Sequence, residues 1–449
     1  LQSMPSSGLA VCGRLWPWRR TTVPPATVGQ STRRHSISAP STVARPQRAA
    51  DASPSPPLSP PVLPAFIHPR LASLRKEIVE QLAGRDRIPA LMRMRTVSGD
   101  ADAYPSMETL ARMYFERGGK MVRPVIALLM ASACNQEVAA RCGRDAVADE
   151  GDVTTHQASI ALIAEMIHVA SLVHDDVIDE AATRRGQASV NFRWGNKLAV
   201  LAGDFILARA TQALCAIGDP TVISTMATII EDLVVGEFLQ MSPELTPSTS
   251  SSASSSPYSG GGPSTSTYSS PSRSPSAPSD PLIYSDRLAL YLAKSERKTA
   301  SLFANSCRSV ALLAQGEDTE LVRDAEEYGR HVGLSFQLVD DAIDYELEEA
   351  EGDRAAGKPV AVDLELGLLT GPLLLAVQSE AELRELLQGG RTAAEIRREV
   401  RRSGACELTR RMAAEHAQRA ADIASSMRSS NGASEALAGV ALSQLERRV

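Results

Sequence analysis

The chain has 449 residues, with 47 Lys and Arg against 53 Asp and Glu, a formal net charge of −6, 43 % apolar residues and only 4 % aromatic ones. A mildly acidic chain with so few rings argues against a general polyanion binder, against base stacking, and against sandwiches and barrels, while its apolar fraction is enough for a sizeable core. No unbroken run of about 18 apolar residues predicts a transmembrane segment. The six cysteines form no C-x-x-C pair and read as small buried hydrophobes in a reducing compartment.

Residues 1–50 hold seven arginines, no lysine and no acid among many Ser, Thr, Pro and Ala residues. That composition marks an organelle transit peptide, with a disordered basic tail as the alternative. The expected layout is a leader over 1–65, then one domain over 66–449 interrupted by a second low-complexity stretch at 242–280. This stretch, nearly all Ser, Pro, Thr and Gly, cannot bury enough apolar surface to offset its chain entropy and reads as a disordered insert between two helices. Elsewhere apolar residues recur at three- and four-residue spacing over 156–180, 196–217, 221–241, 286–315, 320–346 and 406–427, the pattern of long amphipathic helices. No convincing alternating strand and no repeat of solenoid length occurs. The fold class is therefore all-α, a large helical bundle around a deep central cavity.

Two segments carry the same acidic pattern inside an apolar frame: Asp175, Asp176 and Asp179, then Asp340, Asp341 and Asp344. On a helix turning about 100° per residue, the outer aspartates share one face and the second lies at its edge. Carboxylates this close repel one another and need counter-cations if partly buried. Clusters of hard oxygens suit Mg²⁺, which commonly bridges one or two carboxylates to substrate phosphates. A solvated acidic helix face is the plainer reading of one such motif, and the repetition weakens it.

Cations complete the pattern. Lys120 and Arg123 stand where Pro124 suits a first helical turn, near amides and a dipole that favour anions. Arg184 and Arg185 follow the first acidic motif and can grip diphosphates with bidentate geometry. Lys298 with Thr299, and Lys358 beyond the second motif, add to a site for two polyphosphate groups bridged by metal.

The stretches GGKMVRP (118–124), AEMIHVASLVHDDVIDEAATRRG (164–186), WGNKLAVLAGDFILARA (194–210), IIEDLVVGEFLQM (229–241), KTASLFANSC (298–307), GLSFQLVDDAID (333–344) and GKPVAVDLELGLLTGP (357–372) occur in this order. Through them the chain resembles the trans-prenyltransferases over roughly residues 105–445, most nearly the long-chain mitochondrial synthases of solanesyl or decaprenyl diphosphate. The resemblance implies that Asp175, Asp176, Asp179, Asp340, Asp341 and Asp344 hold Mg²⁺, as three ions shared between the two motifs. It implies an allylic diphosphate, farnesyl or geranylgeranyl, bound by Arg184, Lys298, Thr299, Gln337 and Lys358. Isopentenyl diphosphate would bind Lys120, Arg123, His168 and Arg185. His168, seven residues before Asp175, lies two turns back on the same helix face. His174 reads as structural.

The implied reaction breaks the allylic C–O bond, with the electron pair leaving on diphosphate. The double bond of isopentenyl diphosphate attacks the resulting cation, and the released diphosphate takes the proton. Ala170 and Ser171, five and four residues before Asp175, are small where short-chain members carry bulky residues, so the product should exceed geranylgeranyl in length and serve as a quinone tail. Homodimer or heteromer assembly, peripheral membrane contact for product release, no nucleic-acid partner, and a mitochondrial (alternatively plastid) destination are the remaining expectations.

Three alternatives fit less well. A class I terpene cyclase would carry an Asn/Ser/Glu-type second motif and would have no use for isopentenyl-site cations. A di-iron bundle would need more than the one Glu165–His168 E-x-x-H motif. A non-catalytic subunit would be expected to lose motif aspartates. The chain departs from the family pattern in its Ser-rich insert, in the long acidic loop between Asp344 and Lys358, and in the weak match over 376–403.

Overall fold

The structure, a computed structural model, describes residues 62–83, 106–116, 119–142, 152–184, 186–241, 281–315, 319–347, 369–380, 383 and 392–447. The leader up to residue 61, the insert at 242–280, Gly118, Arg185 and Lys358 lie outside the described residues. All those described belong to one compact unit, Pro57–Val449.

The described residues are helical almost throughout. In chain order they form α1 (Ile67–Ala83), α2 (Met107–Glu116), α3 (Val122–Arg141), α4 (Thr155–Ile178), α5 (Val190–Trp194), α6 (Asn196–Ile217), α7 (Pro220–Gln240), α8 (Pro281–Ser295), α9 (Ser301–Gln315), α10 (Thr319–Glu346), α11 (Gly371–Ser379), α12 (Ala393–Arg402), α13 (Ala405–Ser426) and α14 (Ala433–Ser443). Five of the six helices expected from periodicity are recovered within a few residues, because their apolar stripes are long and their ends carry capping residues. Asp219 accepts from the amides of Thr221 and Val222, and Pro220 opens α7. Thr154 and Gln157 form a reciprocal capping box on α4. Buried Gln157 also donates to the Val310 carbonyl of α9 at 3.0 Å, so one polar residue both starts α4 and fixes its height against α9.

Two features depart from the periodicity. The segment expected as one helix over 286–315 is broken by a π-helical turn at Glu296–Ala300. Two glycines let neighbouring helices close on that turn. A Cβ on Gly333 would lie 2.4 Å from the Cα of Ala300, and one on Gly236 would lie 3.0 Å from the amide nitrogen of Lys298. A small antiparallel hairpin also pairs β1 (Thr183–Arg184) with β2 (Gln187–Ala188), too short to register as an alternating pattern.

The larger core lies among α1, α3, α4, α6 and α9, with Leu128, Ile163, Ile206 and Phe303 among its buried members. A second cluster joins α8, the end of α10 and α11–α13 through Tyr291, Leu338, Leu373 and Val400. By length and mean hydropathy, α4 and α6 reach what a membrane crossing requires, although neither is an unbroken apolar run. Core helices share that property, and most of the apolar stretch of α4 is buried inside the protein.

Candidate active site

α4 is buried over most of its length but shows a partly accessible stripe of Glu165, His168, Leu172, Asp175 and Asp179. The spacing of three and four residues places these side chains on one face. On α10, Gln337 and Asp340 are partly accessible and Asp344 is exposed, again at three- and four-residue spacing. The outer aspartates of both motifs therefore lie on the accessible faces of their helices.

The second aspartates do not. Asp176 is fully buried. Its carboxylate accepts from the Tyr114 hydroxyl at 2.9 Å and from Arg184 Nε at 2.7 Å, with Arg184 Nη2 closing a second contact. Asp341 is also buried, accepting from the Tyr291 hydroxyl at 2.5 Å and from Gln337 Nε2 at 2.7 Å. Each motif thus combines outward carboxylates with an inward one held by a tyrosine. The helical phase turns the second residue of each motif toward neighbouring helices, where a tyrosine satisfies it.

The π-helical turn lies between the motifs. Lys298 donates from Nζ to Glu237 at 2.5 Å and to Gln240 at 3.2 Å, and stands 3.9 Å from Asp175. The adjacent Thr299 donates to Gln337 Oε1 at 2.6 Å, and Gln337 in turn holds Asp341. Asp175 and Asp341, 166 positions apart in the chain, are thereby tied to either side of one turn. Burial pushes the Asp175 carboxyl up to about 6; Lys298 opposes this, while Glu237 and Asp179 reinforce it. Burial would pull Lys298 down, but Asp175 and Glu237 outweigh it, and its pKa is raised. Lys298 is therefore a firmly charged ammonium beside a carboxylate cluster with negative charge to spare.

Arg184 sits on β1, where its fork reaches back to Asp176, and Asn191 braces the Asp176 carbonyl at 2.7 Å. Lys120 and Arg123 flank the start of α3, Lys120 exposed and Arg123 partly buried. Between them Met121 adopts a left-handed conformation with φ 48°, which residues other than glycine rarely take. Arg75 of α1 secures this turn, donating to the Gly119 carbonyl at 3.1 Å and to the Met121 sulfur at 2.9 Å. Arg123 places its guanidinium 4.9 Å from the Phe303 ring centroid and 6.0 Å from that of Phe336, the residue before Gln337.

Ala170 lies about 140° around α4 from Asp175 and is fully buried in the main core. Ser171 is partly buried and donates to the His168 carbonyl at 2.8 Å. His174 lies against α6, its Nε2 3.4 Å from the Val200 carbonyl and 3.5 Å from Asp204, consistent with a structural role. The sequence reading did not single out Tyr114, Tyr291, Glu237, Leu172, Phe336 or Arg447. Glu237 could have been noticed as an acid inside an apolar helix. The tyrosines carry no local signal, because their role depends on partners 50 or more positions away.

Among the described residues, no three His, Cys, Asp or Glu side chains form a ready cage for a metal ion. The hard-oxygen donors suit Mg²⁺, which typically takes few protein ligands and fills its sphere with phosphate and water.

Two acidic motifs, linked through Lys298, Thr299 and Gln337, are thus set in an all-α frame. The polyprenyl synthetase family matches residues 104–259 and 279–402, more than half of the chain, and the chain belongs to that family. The match breaks off inside the Ser-rich stretch and resumes at its end. The chain is 40 % identical over 281 residues to all trans-polyprenyl-diphosphate synthase of Homo sapiens, covering 63 % of this chain but only 55 % of that protein. It is 37 % identical over 338 residues to the mitochondrial solanesyl-diphosphate synthase 1 of Oryza sativa subsp. japonica, covering 74 % of this chain and 69 % of that one. Among solved structures, it is similar in fold to a polyprenyl synthase from Caulobacter crescentus complexed with calcium and isoprenyl diphosphate, with a TM-score of 0.62 at 24 % identity, covering 87 % of this chain and all of that one.

Proposed function

We propose that the chain is a Mg²⁺-dependent long-chain trans-polyprenyl diphosphate synthase, adding isopentenyl diphosphate units head to tail to an allylic diphosphate. The observation that carries this reading is the turn at Lys298 and Thr299, tied to Asp175 on one side and, through Gln337, to Asp341 on the other. Family membership and the names of the human and rice relatives support it.

In this reading Asp175, Asp179, Asp340 and Asp344 would hold the metal, and Asp176 and Asp341 position the groups around them. Bound Mg²⁺ would supply charge stabilisation to the departing diphosphate. Lys298 and Arg184 add fixed positive charge beside the allylic diphosphate, with Lys358 from beyond the second motif. Lys120, Arg123, His168 and Arg185 receive isopentenyl diphosphate. Thr299 and Gln337 border the reacting carbons and exclude water. Small Ser171 beside the α4 stripe supports a tail longer than geranylgeranyl, with Leu172 as a further lining residue.

The Arg-rich leader and the rice relative's name support a mitochondrial destination and a quinone-tail product. The low-complexity composition of 242–280, with the interrupted family match, supports an insert within one catalytic domain. A second copy or a related subunit would cover the exposed apolar side chains Phe192, Val200, Leu201, Val234, Phe238 and Met241, which lie along α5–α7 and just beyond α7.

Incubation of purified protein with farnesyl diphosphate, labelled isopentenyl diphosphate and Mg²⁺, followed by chromatography of the products, tests the reading. The expected result is a ladder ending well beyond four isoprene units. Cyclic hydrocarbons, or no incorporation by folded protein, would refute it.

A further inference from the structure

The turn Glu296–Ala300 that carries Lys298 and Thr299 is π-helical, a geometry found mostly as single turns set into α-helices. Two helices grip it at matching intervals. On α7, Asp232, Gly236 and Gln240 recur at four-residue spacing; on α10, Arg330, Gly333 and Gln337 recur at three and four, so each trio shares a helix face. The glycines give the close approach, while Glu237, Gln240 and Gln337 hold the Lys298 and Thr299 side chains at the site. Asp232 lies eight residues before Gln240, about 12 Å back along α7, and it spans the turn. Its Oδ1 accepts from Arg297 Nη1 at 2.6 Å and its Oδ2 from the Ser301 hydroxyl at 2.6 Å. One carboxylate thus binds the residue before Lys298 and the residue two beyond Thr299. The Asp232 side chain is only 17 % exposed and Ser301 is buried, and Ser301 Oγ also accepts from Asn305 Nδ2 at 3.0 Å. Arg330 adds a looser tie, since it meets Glu296 at 3.1 Å but is shared with Glu326 and Glu327. A π turn holds one residue more than the α turn it replaces, so relaxation to α geometry would rotate Lys298 and Thr299 against α9 by about 100°. A carboxylate that holds both ends opposes that slip.

We propose that Asp232 is a positioning residue for the transfer reaction: by bracing both ends of the π turn, it keeps the Lys298 ammonium beside Asp175 and the Thr299 hydroxyl on Gln337. The inference rests on the synthase reading above and deepens it. Negative charge builds on the departing diphosphate as the allylic C–O bond breaks, so a displaced Lys298 is felt more in the transition state than in substrate binding.

The test is steady-state elongation by the full chain with farnesyl diphosphate, isopentenyl diphosphate and Mg²⁺, after thermal melting has shown each variant to be folded at the assay temperature. Asp232→Asn keeps the shape of the side chain and removes its charge. It should lower kcat about tenfold, less than a misplacement of about 1 Å can cost. The KM for isopentenyl diphosphate should stay unchanged, because Lys120, Arg123 and His168 lie on or beside α3 and α4. In a Lys298→Ala background the same substitution should cost little more, since a residue acting through Lys298 then has nothing left to position. Ser301→Ala, which cuts one arm of the brace, should show the same pattern with a smaller loss, and it takes the place of Asp232→Asn if that variant does not fold. Normal turnover in the folded variant, or an equal loss with and without Lys298, would reduce Asp232 to a structural ion pair and overturn the inference. A wild type that elongates no primer would instead refute the synthase reading itself.

Discussion

The division of labour inside the first acidic motif can be tested by comparing Asp175→Asn with Asp176→Asn, changes that remove one carboxylate each at nearly constant volume. Asp176 has no exposed surface and accepts from both Tyr114 and Arg184, while the Arg184 side chain is itself only 12 % exposed. Removing one partner of a buried pair strands the other, and an amide that still accepts the Tyr114 hydrogen bond recovers part of the loss, leaving about 3 kcal/mol. In a domain of this size that lowers the melting temperature by about 4 °C. The Mg²⁺ concentration for half-maximal activity should stay unchanged. Asp175 is partly accessible and already crowded by Glu237 and Asp179, so its neutralisation should leave stability equal or improved. It should raise the Mg²⁺ requirement and cut turnover on the order of 10²–10³-fold, as expected for one preorganised electrostatic contact. Thermal melts and Mg²⁺ titrations of product formation measure both quantities. If Asp176→Asn moves the Mg²⁺ midpoint as far as Asp175→Asn does and leaves the melt unchanged, the inward role assigned to Asp176 is wrong.

Three further outcomes can be checked. His331 and His416 meet Nδ1 to Nδ1 at 2.8 Å between α10 and α13; burial, the other histidine and Arg419 hold His416 down at about 4 against Glu415, and burial, Arg419 and Arg330 lower His331, whose Nε2 lies 3.8 Å from Glu327. Because the unfolded chain binds these protons at about pH 6.5, their contribution is complete above that pH and is lost as pH falls toward 4; urea midpoints should drop over this window, and less so in His416→Gln. Ser171→Phe should shorten the products seen by chromatography, whereas Ala170→Tyr forces a ring into the packed core and should lower stability by roughly 1–3 kcal/mol, so equal product shortening by a fully stable Ala170→Tyr would contradict the placement of Ala170. Deleting residues 245–279 should leave elongation nearly unchanged, since a segment of this composition adds little to a core, and loss of activity in a folded deletion would assign the insert a role at the site.

The sequence by itself determined the helices and the chemistry they carry. Helical periodicity is local, so α4, α6, α7, α10 and α13 could be placed from apolar spacing and from caps such as Asp219–Pro220 and Thr154. The acidic motifs and the cations were legible for a related reason: charges in an apolar frame stand out wherever the chain takes them. The break at Glu296–Ala300 was not legible, because it depends on Gly236 and Gly333 letting other helices approach, and neither lies in α8 or α9. The same limit separated the aspartates. Helical phase placed Asp175 and Asp179 together, but which side of α4 stays accessible depends on what Tyr114 and Arg184 offer Asp176. Arg447 illustrates it most clearly. A lone arginine near the end of the chain has no pattern around it, and only tertiary packing, which carries the C-terminal turn against Phe336 and Asp340, brings it to the site.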